Sequence, residues 1–215
     1  MLSVNFVNFW LLIFTSWGGG AAAVEYRLVP AESRFQVEVS KAGLLSVLAH
    51  DHVIGIGGYS GRVVISPRGI ADSSLELQID TRSLVVLDEK ASAGDRAKIT
   101  RAMHDEVLES ARFPTARFKS TGVTGMTEGR DGEVLLQLAG ELTLHGTTRP
   151  IVIPVSLRGL SGAPRAGAPR AGELRASGRY VLKQTDFGIR PYSTAGGAIR
   201  VKNEVVIDFQ ITGRS

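Results

Sequence analysis

The sequence predicts an all-β fold, a closed antiparallel β-barrel of about eight strands with one inserted amphipathic helix. Three observations carry this. Apolar side chains alternate with polar ones in about eight or nine separate stretches, the period at which a strand presents one face inward. Glycine and proline clusters punctuate those stretches. A single segment switches to helical spacing, too little helix for a doubly wound sheet.

Taken in order, Tyr26 to Val39 opens the domain, with Phe35, Val37 and Val39 alternating with Gln36 and Glu38. Ser46 to Ile56 is a less polar run containing His50-Asp51-His52, and glycines follow at 55, 57 and 58. Tyr59 to Ser66 is a strand closed by the turn signal Pro67-Arg68-Gly69. Leu75, Leu77 and Ile79 then alternate with Glu76, Gln78 and Asp80. From Asp88 to Ala111 the period lengthens: Ile99, Met103 and Val107 lie four apart with Leu108 beside them, while charged residues fall elsewhere around the wheel. This spacing predicts an amphipathic helix, ended before Pro114, whose apolar stripe covers an edge or end of the sheet.

Ala116 to Thr124, Val134 to Leu144 and Pro150 to Leu157 read as strands, with Gly125 to Gly132 as a polar turn. Between Leu144 and Pro150 the chain reads His145-Gly-Thr-Thr-Arg149, a hairpin in which glycine accepts unusual backbone angles and proline interrupts pairing. Leu174 to Leu182 and Ile199 to Ile211 complete the strands. Between them, Gly162-Ala-Pro-Arg-Ala166 is repeated as Gly167-Ala-Pro-Arg-Ala171. Repeats of this composition pack no core, so residues 162–171 are expected as an exposed loop.

The first 23 residues carry no acidic or basic side chain, and a dense apolar run, Trp10 to Phe14, is followed by Ala21-Ala22-Ala23. That is the pattern of a secretory signal peptide cut after about Ala23, although lysine and arginine are missing from its start. The expected organisation is a leader at 1–23 and one domain at 24–215, in a periplasmic or secreted protein. Cysteine is absent, which excludes disulfides and thiolate metal sites. The net charge of +4 is spread thinly, with no basic run interleaved with aromatics, so no nucleic-acid partner is expected. Transient membrane contact and a homodimer are compatible with this composition.

Three stretches, in this order around one helix, resemble the YceI-like family, also called the polyisoprenoid-binding family. They are Arg112-Phe-Pro-Thr-Ala-Arg-Phe118 followed by Ser120, Ala139-Gly-Glu-Leu-Thr-Leu-His-Gly-Thr-Thr-Arg-Pro-Ile151, and Asp186-Phe-Gly-Ile189. The resemblance runs from Tyr26 to about Ile211. It implies a lipocalin-like extended barrel that holds a hydrophobic lipid ligand, a quinone or polyprenyl derivative, for transport, storage or sequestration, and it implies export to the periplasm. Where many members carry one histidine, this chain has His50-Asp51-His52, and Lys183 stands for the basic residue before Asp186. The candidate ligand contacts are His50, His52, Phe113, Phe118 and Phe187.

The chemistry-bearing residues are few. His50 and His52, two apart on a strand, present two imidazoles to one face, half of a divalent metal site to which His104 is a candidate third ligand. A metal-dependent enzyme built on that site is the alternative to a lipid carrier. The plainer expectation is that these imidazoles bind backbone groups or a ligand head at the barrel mouth. His145 is expected to cap its turn, and Asp186 to accept a structural hydrogen bond. No Gly-x-Ser-x-Gly elbow or phosphate-cradling glycine pattern is present, so no catalytic residue or cofactor other than that metal is expected.

Overall fold

The computed structural model describes residues 22–42, 51–89, 91–159, 172–194, 196 and 199–215. Residues 1–21 of the expected leader, His50 and the duplicated segment 162–171 lie outside the described residues. The strands are β1 (Val24–Leu28), β2 (Arg34–Ala42), β3 (His52–Ile56), β4 (Tyr59–Ser66), β5 (Gly69–Asp80) and β6 (Leu84–Val86). They continue with β7 (Thr115–Glu128), β8 (Val134–Leu144), β9 (Thr147–Arg158), β10 (Glu173–Lys183), β11 (Ser193–Thr194) and β12 (Ile199–Arg214). All belong to one antiparallel sheet, and β1 closes it by pairing with β4 on one side and the end of β12 on the other. The resulting eight-stranded ring runs β1-β4-β5-β7-β8-β9-β10-β12.

Farther along β12 the ring is handed on. There β2 takes the place of β1 beside β12, β3 pairs with β2, and β6 pairs with β3. So β1–β2, β3–β4 and β5–β6 are three long strands, each broken by a kink at a similar level. Pro30–Glu32 makes a 3-10 turn in the first, Gly57-Gly58 bends the second, and Thr81–Ser83 forms a 3-10 turn in the third. The expected single strand from Tyr26 to Val39 is therefore two, because proline fixes φ and donates no hydrogen bond at the break. The kinks lock on one another: the Asp80 amide donates to the Gly58 carbonyl at 2.8 Å. Added at Gly58, a β-carbon would sit 2.8 Å from the Ser83 β-carbon, so only glycine permits this approach.

Beyond the kinks β6 has no ladder to β7, and the connection between them roofs the gap. Ser92 caps helix α1 (Ala93–Ala102), its Oγ accepting from the Asp95 amide at 3.1 Å, and one π-helical turn, Met103–Val107, follows. The helix thus starts later than the Asp88 expected from periodicity, since Asp88 spends its carboxylate on β3 instead. Its stripe, Ile99, Met103, Val107 and Leu108, is half-buried and faces the barrel interior.

The hairpin is as expected. His145 and Gly146 both take positive φ, 51° and 74°, the two-residue turn whose twist matches the flanking strands. In β9, Pro150 and Pro154 lack N–H groups, and the ladder to β10 is confined to Val155–Arg158 against Arg175–Gly178. The buried core comprises Phe118, Leu142, Leu182, Phe187, Ile189 and Val205, with a second cluster around Tyr26, Leu136 and Leu174.

Candidate functional site

Alternation along the strands sends one apolar face inward, and that face does not fill the ring. Two adjoining cavities result. An inner one of about 170 Å³ lies toward the closed end, and a mouth cavity of about 370 Å³ lies under the helix. Phe35, Ile79, Leu142 and Ile207 line both, so they form the boundary between the two. The larger one falls within the roughly 300–1,000 Å³ typical of small-molecule sites.

The inner cavity carries no ionisable acid or base among its lining residues apart from the Tyr180 phenol. Burial, with the Asp186 carboxylate nearby, holds that phenol above its ordinary range. The mouth cavity is apolar through Val37, Ile54, Met103 and Val205, but its rim adds Lys41, His52, Lys98 and Arg200. His52 is fixed by Asp88: Nδ1 makes a short contact with Oδ2, while Oδ1 accepts from the Val53 amide at 2.9 Å. That leaves Nε2 for a ligand.

The residues proposed from sequence separate. His52 and Phe118 line the cavities. Phe187 is buried in the core outside either lining, and Phe113 packs on the His145 ring at a centroid distance of 4.2 Å. His104 is not beside His52: its Nδ1 lies 2.9 Å from Ser110 Oγ, and its Nε2 donates to the Leu84 carbonyl at 3.0 Å, so Nε2 carries the proton. This bond ties the π turn to β6. Among the described residues no three His, Asp or Glu side chains gather as a metal cluster.

His145 does not cap its turn through the ring. Its Nε2 lies 3.2 Å from Glu109 Oε1 but outside hydrogen-bonding geometry. At Asp186 it is the backbone carbonyl that accepts, from Arg149 Nε at 3.1 Å. The three motif stretches therefore meet at one rim and brace it. Sequence reasoning missed Lys41, Lys98, Arg200 and Asp88. Lys41 had a signal, because it continues the inward row Phe35, Val37, Val39 at the same period.

A family model for the YceI-like domain matches residues 26–213. This chain belongs to the YceI-like family. A UPF0312 protein of Vibrio cholerae is 35% identical over 132 residues, 61% of each chain, so the alignment spans less than two thirds of that relative. A UPF0312 protein of Pseudomonas fluorescens is 35% identical over 83 residues, 39% of this chain and 40% of the other. Among solved structures, BcnA of Burkholderia cenocepacia superposes with a TM-score of 0.61 at 18% identity, covering 86% of this chain and 98% of its own. A polyisoprenoid binding domain from Saccharophagus degradans gives 0.60 at 17% identity, covering 88% and 98%. At these identities the structural likeness establishes the YceI fold.

Proposed function

We propose that this YceI-like protein is an exported carrier or sequestering protein, which holds an isoprenoid-type lipid inside its barrel. The observation that carries the proposal is the apolar interior: two adjoining cavities with apolar walls and a polar rim at one end only. Burying a slender chain there gains roughly 0.8 kcal/mol per CH₂ before ordering costs. The polyisoprenoid binding described for the Saccharophagus relative supports the same ligand class. Export rests on the leader pattern of residues 1–23.

Native mass spectrometry of the mature protein, purified without detergent from its natural compartment, tests this. A co-purifying mass that ionises alone as an isoprenoid lipid is the expected result. Protein that carries none, and after delipidation takes up neither geranylgeraniol nor a short-chain quinone, would refute the reading.

A further inference from the structure

We infer that the outer wall of the barrel carries a second binding site, a polar cleft at the closed end that takes an uncharged carbohydrate. The inference is independent of the lipid reading, because the cleft and the interior lie on opposite faces of the same strands. The cleft measures about 430 Å³, more than either interior cavity.

Alternation builds it. Val155, Leu157 and Leu174 line the inner cavity, so Ser156, Arg158, Arg175 and Ser177 point outward. Ladder pairing sets them in two rows. Arg158, Arg175 and Thr212 stand opposite one another across β9, β10 and β12, and Ser156, Ser177 and Gln210 form the next row. Glu133, just before β8, closes one end beside Arg158, and Glu32 of the 3-10 turn closes the other beside Thr212. From β8 to β12 the cleft crosses three strand spacings, roughly 14 Å, room for a short oligosaccharide.

The polar groups are held in place from behind. Glu173, 3% exposed, accepts from Arg175 Nε at 2.7 Å and lies 3.5 Å from Arg214, whose guanidinium donates to Glu32 Oε2 at 2.6 Å. On the far side Ser156 Oγ donates to Glu133 Oε1. These bonds fix the side chains without using them up. Oε2 of Glu133, Oε1 of Glu32 and the terminal nitrogens of Arg175 make no hydrogen bond among the described residues, and neither do the Ser177 hydroxyl and the Gln210 amide. A ligand would meet groups already ordered, which lowers the entropy cost of binding.

Sign decides the class of ligand. Glu32 and Glu133 balance Arg158 and Arg175, and each of the four already stands in an ion pair. An ionic ligand would have to compete with those pairs and leave a partner uncompensated. A sugar hydroxyl both donates and accepts. It donates to a free carboxylate oxygen and accepts from a free guanidinium N–H with every pair intact. Neighbouring hydroxyls match the planar forks of carboxylate, guanidinium and amide. No aromatic residue lines the cleft, and its apolar members, Ala176 and Ile211, belong to the inward rows, so the ligand is gripped by its polar edges.

Isothermal titration of the purified protein with short malto-, cello- and chito-oligosaccharides, set against inorganic phosphate and glutamate, tests this. At least one neutral oligosaccharide should bind more tightly than either ion. The variant S177A/Q210A should weaken that binding roughly tenfold or more, the effect of losing two hydrogen bonds. Both side chains face solvent without a described partner, so an unchanged Tm is expected and shows that the variant is folded. Ser177→Leu, which fills the cleft, should abolish binding. Phosphate or glutamate bound in preference to every sugar overturns the ligand class. Sugar binding that survives both S177A/Q210A and Ser177→Leu overturns the site. Binding of none of the oligosaccharides overturns the inference as a whole and leaves the lipid carrier standing.

Discussion

The closed end and the mouth of this barrel are made from the same kind of alternating strand, yet only one tolerates charge. Around the inner cavity β4, β5, β8 and β12 are paired on both sides, and a charge facing inward would be buried with nothing to pair it, a cost of several kcal/mol. At the mouth three strands have kinked, β6 has lost its outer partner, and a helix with no fully buried residue serves as roof. Long basic side chains can reach water there. Position along a strand, as much as the face it presents, decides which inward residue can be charged.

The largest effect that would sharpen this contrast is at the closed end. Leu174, 2% exposed, should cost about 2–5 kcal/mol when changed to Ala, against about 1 kcal/mol for Ile99→Ala in the half-buried roof. Denaturant unfolding of both variants reads the difference, and equal losses would break the comparison. Saturating lipid comes next. At a hundredfold excess over Kd it should add about 2.7 kcal/mol of stability, and the rise in Tm should be smaller for Ile99→Ala if the roof contacts the ligand.

His104→Ala removes the tie between the roof and the Leu84 carbonyl and should cost about 1–2 kcal/mol. Its sharper readout is hydrogen exchange: protection should fall across residues 93–107 while β8 is unchanged. Uniform loss in both would mean the helix is not a separate unit.

Smallest is the alkaline response. Burial raises the Tyr59 hydroxyl, Ser33 partly opposing, and raises that of Tyr180. A phenol raised in the folded state contributes stability in full below its unfolded value of about 10 and loses it as pH rises through the folded value. Melting curves between pH 9 and 12 should therefore fall more steeply for wild type than for Tyr59→Phe with Tyr180→Phe. At pH 7, Tyr59→Phe should be near neutral, because the buried hydroxyl has no well-formed hydrogen bond to lose.

Much of this was legible in the residues. Leu75-Glu-Leu-Gln-Ile79 announces β5 by its period, and His145-Gly146 announces the hairpin by its turn chemistry. Leu84-Val-Val86 carried no alternation to read: three apolar residues fit a strand or a helix equally, and only pairing with Ile54 to Ile56 makes them β6. Of the candidate site residues, His52 and Phe118 reach a cavity wall, because strand alternation turns both inward. Phe113 and Phe187 are as apolar as Phe118, but packing placed them against His145 and in the core. Nothing in the local pattern marks Asp88, whose partners His52 and Val53 lie 36 and 35 residues away.

The sequence by itself determined the strand period, the turns, the helix stripe and the family, because each is written in spacing over a few neighbouring residues. Tertiary structure alone decided that three strands kink together, that the helix becomes a roof, and that Lys41, His52, Lys98 and Arg200 share one mouth. Those are long-range juxtapositions, and ring closure, which no local window contains, is what sets them.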